Sequence, residues 1–229
     1  SGGRGWCVTL SDGRVACYTS GAFSDGPRLV DDLTNVISTA IGFDHICALK
    51  RDGTVWCWGN NEYAQTGIPL ESSNLCHDGT VMSPQGDYSA FHYCVNRPTQ
   101  VPDLTDVVEV SAGGDNTCVR KRDQTVWCWG ANRGPYEPDP GQGLVGDGLP
   151  NTETCPYAPT YPPEFTPTVG RPCRQRPSQL RGLVGATSIS VACDDSTAYL
   201  GGAAEKVNRN CPQASQRLWW PRPGLSVRH

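Results

Sequence analysis

The sequence lacks long hydrophobic runs and has few charged residues. No apolar run approaches the roughly 20 residues of a membrane-spanning helix, so no membrane span is expected. Ser1–Leu10 lacks the order of charged, apolar and small residues found in a signal peptide, so we expect a soluble and already processed chain. Charged residues make up 18% of the chain, with 19 Lys and Arg against 23 Asp and Glu. Without a basic stripe, nucleic-acid binding is not expected.

Long amphipathic helices are also not expected. The runs of Ala, Leu, Glu and Lys that build them are missing, which excludes a helical bundle or a coiled coil. The chain is instead rich in turn-forming residues, because 26 Gly and 19 Pro together make up about a fifth of it. This composition predicts an all-β fold.

Motifs of the common catalytic sites are absent as well. The sequence has no Gly-x-Ser-x-Gly, no His-Glu-x-x-His and no phosphate-binding loop. Four acidic residues could still converge as a carboxylate pair, although no motif demands it. They are Asp78, Asp87, Glu137 and Asp139. We predict a protein that is not an enzyme, with no catalytic residue and no cofactor.

Cysteine is far more frequent than in cytosolic proteins, and its count of 12 is even. Disulfides in a secreted or cell-surface protein are therefore the favoured interpretation. No Cys-x-x-Cys occurs, which excludes c-type heme attachment and leaves zinc as an alternative at one place. There Cys76-His77 and His92-x-Cys94 could supply four ligands. The same 18-residue cysteine spacing recurs later without a nearby histidine, so we predict no metal.

The chain contains internal repeats. His45–Gly59 matches Asn116–Gly130 along its whole length, a weaker copy spans Cys7–Cys17, and a degenerate one begins at Val191. Each full copy is preceded by an alternating segment typical of a half-buried strand. The predicted units are residues 1–26, 27–97, 98–176 and 177–212, followed by a C-terminal tail at 213–229.

Within a copy, the cysteine spacing fits a hairpin. A three-residue turn at Arg51–Gly53, with Gly53 left-handed, would place Cys47 directly opposite Cys57. In the third copy Gln124 takes the place of that glycine, at a cost of about 1 kcal/mol. Three pairs spaced by ten residues and three spaced by 18 are predicted to form disulfides. They are Cys7–Cys17, Cys47–Cys57, Cys118–Cys128, Cys76–Cys94, Cys155–Cys173 and Cys193–Cys211.

The second copy resembles a known repeat. His45–Leu49, Asp52–Gly53, Val55 and Trp58–Asn60 are similar to the repeat of the regulator of chromosome condensation superfamily. The resemblance covers the chain from Cys7 to about Tyr199. The Trp-Cys-Trp-Gly sequence with paired cysteines is similar to exported bacterial members rather than to the nuclear exchange factor.

The resemblance implies a β-propeller, or part of one, made of four-stranded blades that usually number about seven. This chain has about three to four repeats, so missing sequence, another copy of the chain, or nothing would complete the ring. Two departures stand out: Tyr63–Gly67 keeps the family's glutamine turn only in part, and Ala16–Tyr18 replaces Trp-Cys-Trp. Since the family uses the position of His45 structurally, we expect His45 to be a hydrogen-bonded residue of a blade and not a catalyst.

Two connections after Trp-Gly are long loop insertions of about 40 residues each, Gly59–Pro98 and Gly130–Pro177. Because they leave equivalent positions of neighbouring blades, they should emerge on the same side and build one surface. Aromatic residues of these loops and of the tail are the predicted binding residues, with filling of small loop cores as the alternative. They are Tyr88, Phe91, His92, Tyr93, Tyr136, Tyr157, Tyr161, Phe165, Trp219 and Trp220.

These features predict a non-catalytic, exported module for protein binding or assembly. Its partner would be another protein, or a second copy of the chain joined through open propeller ends, and Trp219-Trp220 could plug such an end or pack on its own domain. Three alternatives remain: a lectin-like glycan-binding propeller, an inhibitor of a secreted enzyme, and a structural subunit of a surface appendage.

Overall fold

The computed structural model describes residues 5–19, 26–81, 88–132, 145, 147–149, 152–161, 163, 166–167, 169–183 and 185–191. Over these residues the protein is all-β, as predicted, and one short 3-10 helix is present at Leu70–Ser72. No helix in this part of the chain is long and apolar enough to cross a membrane. The strands are β1 (Gly5–Thr9), β2 (Val15–Thr19), β3 (Arg28–Leu29), β4 (Val36–Ile41), β5 (His45–Lys50), β6 (Val55–Asn60), β7 (Asn74–Val81), β8 (Tyr88–Gln100), β9 (Val107–Gly113), β10 (Asn116–Lys121), β11 (Val126–Ala131), β12 (Thr154–Cys155) and β13 (Arg171–Gln179).

The strands form antiparallel sheets that follow one another along the chain. The first has the order β1-β2-β3, the second β4-β5-β6-β8-β7 and the third β9-β10-β11-β13-β12. In the second and third sheets the end of β8 or β13 returns from an insertion and pairs with β6 or β11 as a fourth strand. The start of the same strand pairs with β7 or β12. Each of these two sheets is therefore a four-stranded blade extended by an insertion hairpin.

The blade hairpins have the predicted turn. The Lys50 N–H donates to the Thr54 carbonyl at 2.9 Å, and Cys47 lies directly opposite Cys57. Gly53 has a φ of 82°, and Gln124 has a φ of 66° at the matching position of the third copy. The turn geometry thus requires the left-handed conformation, since Gln124 adopts it despite carrying a side chain.

Five of the six predicted disulfides lie in the described residues, and all five are formed. The three that close blade hairpins have a Cα–Cα distance of 4.1 Å, which directly opposed strand positions provide. The two insertion disulfides span 6.0 and 5.8 Å. The sixth predicted pair, Cys193–Cys211, lies outside the described residues.

Hydrophobic clusters between neighbouring sheets hold the sheets together. The buried residues between the first and second sheets are Val15, Cys17, Leu33, Val36 and Ala48. Those between the second and third are Cys47, Leu49, Val55, Cys57, Val101, Leu104, Val107, Val119 and Trp129. Two of the hairpin disulfides, Cys7–Cys17 and Cys47–Cys57, are part of these clusters, so each links two strands and also packs against the next sheet. The third, Cys118–Cys128, packs in a separate cluster with Val126, Val145 and Leu180. Burial of this apolar surface is the main favourable contribution to folding.

Candidate binding surface

Two buried asparagines lie where the chain leaves the blades and enters the insertions. Asn61 follows β6, and its Oδ1 accepts hydrogen bonds from the Thr66 N–H at 3.0 Å and hydroxyl at 2.6 Å. Asn132 follows β11, and its Oδ1 accepts a hydrogen bond from the Val145 N–H at 3.0 Å. The two insertions therefore leave neighbouring blades at equivalent places. Sequence reasoning overlooks these asparagines, although Trp-Gly-x-Asn recurs in both full copies.

The turn after β6 joins the first insertion to the next blade. The Gln65 carbonyl oxygen accepts hydrogen bonds from the Thr117 hydroxyl at 2.8 Å and from the Trp129 indole N–H at 3.0 Å. Gly67 lies so close that an added Cβ would come within 2.9 Å of Trp129 Nε1. The partial glutamine turn at Tyr63–Gly67 is thus buried, and its hydrogen bonds connect two neighbouring blades.

His45 is a structural residue, as the family resemblance implies. It is 1% exposed, and its Nε2 lies 2.8 Å from Thr117 Oγ1 in the neighbouring blade. Burial lowers the pKa of His45 from 6.5 to about 4, so the ring is neutral near pH 7. A buried neutral ring in contact with the next blade is suited to packing and is not placed to act as a base on a substrate.

One face of the first insertion hairpin, formed by β7 and β8, carries its disulfide. Cys76 lies opposite His92 and is bridged to Cys94. His77 points to the opposite face, because successive residues of a strand alternate. The predicted disulfide is formed here, and the four residues of the zinc alternative are not all brought together, because His77 lies on the opposite face from the other three.

The other face of this hairpin is apolar and partly exposed. Leu75 is 50% exposed, and the His77 ring packs edge-on against Phe91 with 5.1 Å between ring centroids. Tyr93, opposite Leu75, packs against a small buried cluster to which both insertions contribute. The cluster consists of Ala64, Leu70, Cys155 and Cys173. At Tyr93 this face therefore packs against the core shared by the insertions, and at Leu75 it is exposed to solvent.

A backbone pairing joins the hairpin to the second insertion. The Ser89 N–H donates to the Tyr161 carbonyl at 2.9 Å, and the Tyr161 N–H donates to the Ser89 carbonyl at 3.1 Å. The side chain of Tyr161 is 73% exposed. This contact places the described parts of the two insertions side by side, as their equivalent departure points predict.

Arg171 makes a second connection between the insertions. Its Nη2 lies 2.9 Å from Glu62 Oε1, and its Cζ lies 4.7 Å from the ring centre of Tyr63 and 4.2 Å from that of Tyr157. Burial opposes its charge, but the hydrogen bond and charge of Glu62 raise the pKa of Arg171 above its usual value. The Arg171 guanidinium thus makes cation–π contacts with aromatic rings from both insertions.

The predicted binding residues occupy different environments. Phe91 and His92 are partly exposed and Tyr161 is largely exposed, whereas Tyr93 and Tyr157 are half-buried and hold the insertions together. The remaining predicted residues lie outside the described part of the chain. They are the side chain of Tyr88 and all of Tyr136, Phe165, Trp219 and Trp220. The same holds for the side chain of Asp78 and for Asp87, Glu137 and Asp139.

Two segments of the chain match a known repeat family. Residues 36–65 and 107–133 match the model of the regulator of chromosome condensation (RCC1) repeat. The segments begin with β4 and β9, continue through the two blade hairpins and include the asparagines at which the insertions start.

Several known proteins are similar to parts of this chain. Protein pim1 of Schizosaccharomyces pombe is 34% identical over 113 residues, which are 48% of this chain and 20% of pim1. The probable E3 ubiquitin-protein ligase HERC4 of Rattus norvegicus is 28% identical over 109 residues, 47% of this chain and 9% of HERC4. The chain thus spans 20% or less of these relatives. The structure of Prp20p from Saccharomyces cerevisiae aligns with 79% of this chain and 37% of its own, at 17% identity and a TM-score of 0.49. The chain therefore contains two segments that are similar to the RCC1 repeat, one in each of its two five-stranded sheets.

Proposed function

We propose that this chain is a non-catalytic, exported protein-binding module and that the joined insertions are its contact surface. The observation that carries the proposal is that the insertions of two neighbouring blades are tied together by the Ser89–Tyr161 pairing and by Arg171. Neither contact lies in the clusters between the blades, so folding of the blades does not account for them.

The constraints on the described parts of the insertions support a binding role. Each insertion is closed by its own disulfide, and the two share a core, so these parts have little conformational freedom to lose on binding. Exposed apolar side chains lie on the insertions, with Leu75 at 50%, Tyr161 at 73% and Val169 at 77% exposed. Side chains of this kind anchor protein interfaces once a partner covers them.

The cysteine chemistry supports an oxidising compartment. Every cysteine of the described residues is paired in one of five disulfides. Disulfides persist in secreted and cell-surface proteins and are rare in the cytosol. We therefore propose that the partner is itself a secreted or surface-exposed protein.

The test is capture of a partner from the extracellular fluid of the source organism on the immobilised chain. A triple variant, Leu75→Ser/Tyr161→Ser/Val169→Ser, removes exposed apolar side chains from the insertions. We expect the native chain to retain one protein reproducibly and the triple variant to retain about tenfold less of it, because anchor residues dominate such interfaces.

A matched control separates this surface from the rest of the molecule. Leu29, Ile37 and Phe43 lie outside the insertions and are 49%, 46% and 42% exposed. Their triple Ser variant loses a similar number of exposed apolar side chains and should bind like the native chain. Equal capture by all three proteins, or a loss confined to the control, would contradict the proposal.

Glycan binding is the outcome that would replace this proposal. A sugar would have to use the open face of Tyr161, because the ring of Tyr157 is already stacked on Arg171. A glycan-array signal that disappears in Tyr161→Ala, with no protein captured by the native chain, would assign a lectin function to the same surface.

A further inference from the structure

The Cys76–Cys94 disulfide lies in a different environment from the other four described disulfides. Each of the others contributes to a hydrophobic cluster. Two of them lie between neighbouring sheets, one lies in the core shared by the insertions, and Cys118–Cys128 packs with Val126, Val145 and Leu180. Cys76 and Cys94 are in none of these clusters, and Cys76 is partly exposed whereas Cys94 is 3% exposed. A reductant in solution can therefore reach this bridge, at Cys76, without opening a core.

Two side chains with atoms that can bind a metal, Asn96 and His92, lie next to this disulfide. The Oδ1 of Asn96 lies 3.1 Å from Cys76 Sγ and 3.3 Å from Cys94 Sγ. A ring nitrogen of His92 and the two sulfur atoms all lie within 4.8 Å of one another. The arrangement follows from the strand period, because His92, Cys94 and Asn96 alternate along β8 and His92 lies opposite Cys76.

We propose that this disulfide is a redox-controlled metal site: when it is reduced, Cys76, Cys94 and His92 bind one thiophilic divalent cation of the zinc class. Two thiolates and one imidazole are ligands that Zn²⁺ prefers, and tetrahedral coordination places such ligand atoms about 3.3 to 3.9 Å apart. The three atoms already lie within 4.8 Å of one another, so after the S–S bond is broken the two sulfurs must move apart and the ring nitrogen must move closer to them. Asn96 Oδ1 or water completes the coordination.

A thiol reductant opens the disulfide in two steps. A thiolate of the reductant attacks the sulfur of the partly exposed Cys76, the S–S bond breaks and Cys94 leaves as a thiolate. A second thiol of the reductant resolves the mixed disulfide, so the protein gains two electrons and two protons while the reductant is oxidised to its disulfide. Binding of the cation then releases the two thiol protons and leaves a site without net charge.

The chain contains a matched disulfide that should not behave in this way. Cys155–Cys173 has the same sequence separation of 18 and also closes an insertion. Both of its cysteines are 0% exposed and lie in the core shared by the insertions. His77 supplies a second control, since it belongs to the same hairpin as His92 but lies on the other face.

The experiment uses the full chain with Cys193→Ser/Cys211→Ser, so that only the described cysteines contribute thiols. Limited dithiothreitol is applied and removed, thiols are located by alkylation and mass spectrometry, and Zn²⁺ affinity is measured by competition with a chromophoric chelator. We expect Cys76–Cys94 to open about tenfold faster than Cys155–Cys173, and one Zn²⁺ to bind with release of two protons.

Variants of the two histidines decide whether the site is the one described. His92→Ala should weaken Zn²⁺ binding about 100-fold, because it removes a ligand, whereas His77→Ala should bind like the parent. Co²⁺ in place of Zn²⁺ should show thiolate charge-transfer absorption in the parent and in His77→Ala. Opening of Cys155–Cys173 first, or equal Zn²⁺ affinity in His92→Ala and the parent, would overturn the proposal.

Discussion

The turn of each blade hairpin contains one residue in the left-handed backbone conformation, which glycine adopts most easily. Gly13 and Gly53 have φ angles of 81° and 82°, whereas Gln124 holds the position in the third copy with a φ of 66°. Gln124→Gly should raise the free energy of unfolding by about 1 kcal/mol, because it removes the Cβ strain of a left-handed conformation. Urea denaturation measures the change.

The reverse change at the equivalent turn is the control. Gly53→Gln should lower the free energy of unfolding by at least about 1 kcal/mol. A Cβ at Gly53 would also lie 3.3 Å from the Cα of Asp106, which adds crowding. Gln124→Gly with unchanged or reduced stability would show that Gln124 is not strained.

His45 should make the protein sensitive to mild acid. Its pKa is about 4 in the folded state against an ordinary value of 6.5, so the unfolded state takes up the proton first as the pH falls. Stability from this group is complete above pH 6.5 and should fall by roughly 3 kcal/mol as the pH approaches 4. Hydrogen bonds from Thr54 and Thr125 lower the pKa values of Asp52 and Asp123, whose titration therefore lies below this window.

The matching residue of the third copy provides the variant that tests this window. Asn116 occupies the position equivalent to His45, so His45→Asn is a change that the repeat already accommodates. Thermal unfolding at pH 7 and pH 4.5 should show a smaller loss of stability in the variant than in the native chain. The same loss in both would mean that His45 does not control the acid response.

At the scale of elements, the blade hairpins could be predicted to the residue and the insertions could not. The register of a hairpin depends on a few neighbouring residues, so the ten-residue spacing of Cys47 and Cys57 was sufficient. The insertions start from a side-chain network instead. Asn61 accepts from Thr66 and donates to Ile68 and Ser73, partners that no local pattern identifies.

The asparagine network should be a major stabilising contribution to the first insertion. Asn61→Ala removes an amide that is 0% exposed and leaves buried partners without hydrogen bonds, which should cost about 3 kcal/mol. Asn74→Ala, at an exposed position of β7, should change the free energy of unfolding by less than about 0.5 kcal/mol. Similar urea midpoints for the two variants would argue against this account of Asn61.

At the scale of the whole molecule, symmetry between the repeats predicted where the insertions emerge but not how they touch. The two departure points are equivalent, so their common side followed from the sequence. The contact itself joins residues far apart in the chain, since Arg171 and Glu62 are separated by 109 positions. For the same reason Tyr157 could not be recognised as a partner of Arg171, and it was predicted as a binding residue.

The most direct test of the central claim is hydrogen exchange at the two amides that join the insertions. The Ser89 and Tyr161 N–H groups each donate to the other residue's carbonyl, so both should be protected and should exchange at similar rates in the native chain. Exchange of both amides at the rate of an unprotected backbone would show that the insertions move independently, and the single binding surface proposed here would not exist.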